Sequence, residues 1–132
     1  MVKLLDTDTC IGILKGVPKV LDEWRKCNER CALPSMVIAE LHYGAAKSKS
    51  PDREAQRVNR FADAFEEIRP TRLMLKKFGE IKAQLENKRQ RIADADLLIA
   101  ATAMSAGITL VTGNAKHYSR IEGIALEDWF GR

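Results

Sequence analysis

At 132 residues and 45% hydrophobic content, the chain is the size of one domain, residues 1–132, with one sizeable core. Its ordinary composition, with no repeat or low-complexity tract, excludes a fibrous, collagen-like or disordered class. The formal charge of +4 favours a polyanionic partner, the more so if acids are gathered in a pocket and the rest of the surface is correspondingly basic.

Lys3-Leu4-Leu5 is a short apolar run ending at Asp6, a candidate first strand. Thr7 or Asp8 can cap a helix running through Ile11, Ile13 and Leu14 to Gly16. Pro18 suits the first turn of another helix, with Val17, Val20, Leu21 and Trp24 on one face. Cys31-Ala32-Leu33 reads as a second strand. Ser35 can cap a helix carrying Val37, Ile38, Glu40, Leu41 and Ala45. Residues 47–52 are polar and read as a loop. Ala55, Val58, Phe61, Ala62 and Phe65 then form a helical stripe expected in the core. Glu67-Ile68-Arg69 is a third candidate strand, and Thr71 can cap a helix with Leu75, Phe78, Ile81 and Leu85 on its apolar face.

That helix ends in the basic cluster Asn87-Lys88-Arg89-Gln90-Arg91, which can serve the helix C-terminus or bind phosphates. Asp94 or Asp96 opens an apolar helix stopped by Gly107. Ile108-Thr109-Leu110-Val111 is the clearest strand, followed by the turn Thr112-Gly113-Asn114. Ile124-Ala125-Leu126 is a possible last strand. Strands alternating with helices predict an α/β fold: a central, mostly parallel sheet with helices on both faces. Ligands bind such sheets beyond the carboxyl ends of the strands.

The stretch from Leu97 to Val111 holds Thr102, Ser105, Gly107 and Thr109 and falls short of a bilayer span, and the first six residues are too short for a signal peptide. A soluble, cytoplasmic protein is expected. Cys10, Cys27 and Cys31 are odd in number and lack a CxxC pair, so reduced structural thiols are expected. The alternative is a zinc site joining Cys27 and Cys31 to His42 or His117.

Asp6, Glu40, Asp94, Asp96 and Asn114 sit in or beside these apolar runs, at places where an α/β chain brings strand ends together. Buried carboxylates are costly unless a positive group joins them. An oxygen-only set suits a hard cation, Mg²⁺ or Mn²⁺, and makes the chain a candidate metal-dependent phosphodiesterase. Each residue also has an ordinary reading. Asp6 and Asp94 can be helix caps, and Asp96 can complement a helix dipole. Glu40 can face solvent, Asn114 can be a turn residue, and Thr112 can be strand-end polarity.

The joint order is more specific than its parts. It runs Leu4-Leu5-Asp6-Thr7-Asp8-Thr9, then Ser35-Met36-Val37-Ile38-Ala39-Glu40-Leu41-His42-Tyr43-Gly44, then Ile92-Ala93-Asp94-Ala95-Asp96-Leu97-Leu98, then Thr109-Leu110-Val111-Thr112-Gly113-Asn114. His117-Tyr118, Ile121-Glu122-Gly123 and Leu126-Glu127-Asp128-Trp129 follow. This order resembles the PIN-domain nucleases and, within them, the VapC-type toxins of type II toxin–antitoxin pairs, over nearly the whole chain.

The resemblance implies a PIN-like three-layer fold with Asp6, Glu40 and Asp96 as the core acidic set, joined by Asn114 and the Thr112 hydroxyl. It implies a Mg²⁺-dependent endoribonuclease (Mn²⁺ as the alternative) acting on structured RNA such as tRNA. Metal would be held by Asp6, Asp96, Glu40 and the additional Asp94; Lys88, Arg89 and Arg91 would contact phosphates. Asp8 stands where the family more often has Asn, and Asp94 has no fixed counterpart there. The implied partners are a VapB-type antitoxin, operator DNA through that antitoxin only, and a second copy of the chain, with the helix bearing Val17, Val20, Leu21 and Trp24 as either dimer surface or core. Alternatives are a PIN nuclease of RNA processing, a catalytically inactive PIN scaffold, and a phospho-acceptor receiver domain. A receiver needs an acceptor Asp after a middle strand, where this chain has Arg69-Pro70.

Overall fold

The computed structural model describes residues 2–131. Five strands form one sheet: β1 (Val2–Leu5), β2 (Arg30–Pro34), β3 (Glu66–Ile68), β4 (Thr109–Val111) and β5 (Leu126–Glu127), in the order β3-β2-β1-β4-β5. All four pairings are parallel. The helices that flank the sheet are α1 (Thr7–Leu14), α2 (Pro18–Lys26), α3 (Ser35–Ala46), α4 (Pro51–Asp63), α5 (Arg72–Asn87), α6 (Asp94–Ala106) and α7 (Ala115–Tyr118). Parallel strands need their connections on the faces of the sheet, which is why helix and strand alternate.

The core is continuous. Leu4 and Leu5 of β1, Leu33 of β2, and Leu110 and Val111 of β4 are fully buried, as are Val37, Ile99 and Ala100 of the covering helices. On α6, Leu97, Ile99, Ala100, Ala101 and Ala103 are all buried, so this helix is apolar almost all round because it is covered almost all round. Its end is the expected one: Gly107 takes the left-handed conformation at φ 67°, which costs glycine nothing.

Several local expectations need correction. Asp6, not Thr7 or Asp8, is the N-cap of α1, and its side chain accepts from the Thr9 N–H. Ser35 is the first residue of α3 rather than its cap; its hydroxyl donates to Glu67 at 2.6 Å. The loop stops at Ser50, and Pro51 opens α4 two residues early. Leu75 lies off the buried stripe of α5 and is 52% exposed. The last strand is Leu126–Glu127, and α7 is an element without a forerunner in the pattern. The face of α2 offered as a dimer surface points inward: Val20 is fully buried and Trp24 stacks on Phe65 with ring centroids 6.0 Å apart. No helix among the described residues is long and apolar enough to cross a membrane.

Candidate active site

The strand order reverses direction of growth between β1 and β4, which are adjacent in the sheet. Loops leaving the two strands there part to opposite sides and leave a crevice beyond the carboxyl edge. Asp6 leaves β1 and Thr112-Gly113-Asn114 leaves β4. A cavity of about 150 Å³ opens at this edge, lined by Asp6, Thr7, Asp8, Glu40, Asp96, Asn114 and Tyr118.

Asp6 is only 4% exposed. Its backbone N–H continues the sheet by donating to Val111 O at 3.0 Å, and its carboxylate caps α1 through the Thr9 N–H at 2.9 Å. Burial pushes its pKa up to about 6, against hydrogen bonds from Thr112 and Thr9 that pull the other way; neighbouring Asp8 adds to the rise. Thr112 is fully buried, and its oxygen also accepts from the Asn114 N–H at 2.9 Å, so it ties the β4 turn to Asp6. Asp6 is thus both a helix cap and a lining residue of the cavity.

Glu40 comes from the middle of α3, where the Thr7 hydroxyl donates to its Oε1 at 2.6 Å. Asp96 comes from the first turn of α6, a position the helix dipole favours for an acid. Asp94 is two residues earlier and turns elsewhere: it pairs with Lys82 at 3.1 Å and lines a neighbouring cavity with Arg91, Glu86 and Leu97. The structure thus brings together Asp6, Glu40, Asp96 and Asn114, with Thr112 behind Asp6, and leaves Asp94 outside. Lys88 and Arg89 are exposed in the connection between α5 and α6, and Arg89 has φ 56°. Cys10, Cys27 and Cys31 are free thiols; Cys27 and Cys31 share the Glu29 carbonyl as acceptor and have neither His42 nor His117 beside them as a hydrogen-bond partner.

Three residues at or beside the cavity were not read as part of the site. Thr7 was weighed only as a helix cap. Tyr118, 2% exposed, and His117 entered only through the family resemblance and, for His117, a zinc alternative. His117 reaches Asp96, with its Nε2 3.4 Å from Asp96 Oδ2. The signal available was position: each lies within four residues of an acid or amide already singled out.

The donor set suits a hard divalent cation, since the lining is dominated by the carboxylates of Asp6, Asp8, Glu40 and Asp96 and its described residues include no Cys or His. Asp6 strengthens that fit, because it is a buried carboxylate with hydrogen-bond donors but, among the described residues, no cationic side chain paired with it. Among the described residues no three His, Cys, Asp or Glu side chains are drawn together closely enough to enclose an ion by themselves. The carboxylates stand apart around an open cavity, an arrangement that leaves room for water or substrate oxygens.

The profile of the PIN domain family matches residues 3–123. The chain is 35% identical to the tRNA(fMet)-specific endonuclease VapC of Salmonella typhimurium, over 96% of both sequences. It is 34% identical to ribonuclease VapC2 of Rickettsia felis, over 98% of both. Among solved structures, VapBC2 of Rickettsia felis bound to a DNA fragment from its promoter contains a chain that superposes with a TM-score of 0.90 at 32% identity, covering 98% of this chain and 99% of that one. DNA-bound VapBC of Salmonella typhimurium gives 0.90 at 33% identity, covering 98% of each chain.

Proposed function

The chain belongs to the PIN-domain family, and we propose that it is the toxin of a VapBC-type toxin–antitoxin pair, a metal-dependent endoribonuclease. The observation that carries this reading is the convergence of Asp6, Glu40 and Asp96 with Asn114 on one small cavity at the sheet's switch point. Its relatives of nearly equal length are named as ribonucleases, one of them specific for tRNA(fMet), so structured RNA is the substrate class assigned here. The pairing with an antitoxin, and through it with operator DNA, rests on the DNA-bound VapBC complexes.

Asp6 and Asp96 would hold Mg²⁺, with Mn²⁺ as a substitute, and Glu40 would complete the set. The ion supplies Lewis acidity toward a phosphoryl oxygen and lowers the pKa of water. The protein's part is placement. Asp6 is fixed by the α1 amide it caps and by Thr112, so its carboxylate cannot swing away. Glu40, steadied by the Thr7 hydroxyl, is the group placed to take a proton from an attacking water. Asn114, whose N–H is held by Thr112, presents its side-chain amide to the same cavity and orients water or phosphate there. Asp94 keeps the nearby Lys82 neutralised rather than acting in the cavity. Lys88, Arg89 and Arg91 supply positive charge beside the acids, where an RNA backbone has to pass.

The test is incubation of a total small-RNA pool with the purified protein and Mg²⁺, beside Asp6→Asn, Asp94→Asn and an EDTA control. Discrete fragments are expected from the wild type and from Asp94→Asn, and none from Asp6→Asn or with EDTA. Fragments that persist in EDTA or with Asp6→Asn would refute the assignment.

A further inference from the structure

α7 is a single turn, Ala115–Tyr118, yet two consecutive side chains of it converge on one carboxylate. His117 places Nε2 3.4 Å from Asp96 Oδ2, and that nitrogen is buried with no hydrogen-bond partner among the described residues. Tyr118, 2% exposed, lines the acidic cavity together with Asp96. The two rings brace each other edge-on, with centroids 5.5 Å apart at 77°. The turn closes on its own N-cap and is tied, just beyond its end, to the loop before α6. Tyr118 N donates to Asn114 O at 3.2 Å, and the Arg120 guanidinium, just beyond, donates to Arg91 O at 3.0 Å.

A tyrosine in this place is unusual on physical grounds. A buried aromatic ring needs no hydroxyl to fill space, and a buried hydroxyl without a partner costs about 1–3 kcal/mol. Here Tyr118 shares a cavity with the carboxylates of Asp6, Asp8, Glu40 and Asp96. Burial pushes its pKa far above the ordinary tyrosine value, and the nearby charges of Asp96, Asp6 and Glu40 push it in the same direction. A hydroxyl can hold a carboxylate oxygen without bringing a second charge into the cavity.

We propose that Tyr118, braced by His117, is a positioning residue: its hydroxyl holds one oxygen of Asp96 and leaves the other turned into the cavity. This rests on the reading of Asp96 as a metal ligand given above. The pair does for Asp96 what the α1 amide and Thr112 do for Asp6. Each acid is oriented by donors from a different element, and the cavity's geometry is set before anything binds.

Two readouts test it, one of them independent of any metal. In metal-free protein, proton NMR of the wild type is expected to show a slowly exchanging tyrosine hydroxyl resonance. It should vanish in Tyr118→Phe and move upfield in Asp96→Asn, where a neutral amide accepts more weakly. The exposed Tyr43 gives no such signal. Absence of the resonance, or no response to Asp96→Asn, would overturn the hydrogen bond. Calorimetric titration with Mn²⁺ is the second readout. Tyr118→Phe is expected to fold normally and to bind roughly 10-fold more weakly, the loss typical of removing an outer partner. Wild-type affinity in Tyr118→Phe would overturn the positioning role. Failure of the wild type itself to bind Mn²⁺ would instead overturn the metal-site reading and the positioning role with it, while the NMR result would still decide the hydrogen bond.

Discussion

Asp6 serves structure and chemistry with one carboxylate, and the two roles conflict. As a cap it stabilises α1, and as a buried anion without a cation it destabilises the fold. Its folded pKa of about 6 lies above the unfolded value of 3.8, so the penalty is absent below the unfolded value, grows as pH rises between the two, and is complete above the folded one. A shift of that size corresponds to about 3 kcal/mol at most. Asp6→Asn keeps a cap acceptor and removes the charge. In EDTA at neutral pH it should therefore raise the unfolding free energy by about 1–3 kcal/mol while abolishing activity. Chemical denaturation across the range between the two pKa values checks this, and a destabilised variant at neutral pH would contradict it. Asp6, Asp96 and Asn114 were legible in the sequence because each follows a strand or opens a helix, and Glu40 because it is an acid within an otherwise apolar helix. Tyr118 and Thr7 were not, because one hydroxyl in a polar or capping context carries no sign of which way it faces.

Elements whose signals are local were equally legible. Thr71 caps α5 through the Met74 N–H at 3.3 Å, as its position before the apolar stripe predicts. Thr71→Ala should cost about 1 kcal/mol in urea denaturation, with no change in RNA cleavage. Burial of α6 predicts a larger effect: Ile99→Ala should cost about 2–5 kcal/mol. The short elements escaped because tertiary pairing, not pattern, makes them. β5 is two residues long and exists because Leu110 and Thr112 donate to the carbonyls of Ala125 and Glu127. Leu75 falls in the helical stripe but on the side no neighbour covers, and spacing alone cannot distinguish the two.

β5 also carries a pH-dependent tie. Burial raises the pKa of Glu127, but hydrogen bonds from Lys3 at 2.8 Å and Trp129 at 2.6 Å more than offset this and leave it below the ordinary value. The stability this adds is present above the unfolded pKa and is lost as pH falls through the folded one. Glu127→Gln should therefore lower the melting temperature at neutral pH and bring it closer to the wild type in acid. A constant difference at all pH values would argue against the tie.

For the whole molecule, a net charge of +4 coexists with a cavity that gathers Asp6, Asp8, Glu40 and Asp96, so the positive charge lies elsewhere on the surface. The basic run Lys88-Arg89 stands at the turn just before α6, the helix that supplies Asp96. Lys88→Gln with Arg89→Gln should flatten the slope of log affinity against log salt for catalytically inactive protein on single-stranded RNA by about 1.4, the value for two phosphates. An unchanged slope would remove these residues from the RNA path. The parallel sheet and its alternation with helices follow from the pattern of apolar runs. The strand order does not, because the position of β1 between β2 and β4 depends on which strand edges meet. That order brings the Asp6 and Thr112 ends together.

The central claim is that Asp6, Glu40 and Asp96 form one divalent-metal site and that Asp94 stands outside it. Calorimetric titration of Mn²⁺ into the wild type and the four single variants Asp6→Asn, Glu40→Gln, Asp96→Asn and Asp94→Asn tests it most directly. The account predicts saturable binding to the wild type and Asp94→Asn, and a loss of at least about tenfold in affinity for the other three. Binding lost with Asp94→Asn and kept with Asp6→Asn or Asp96→Asn would contradict it.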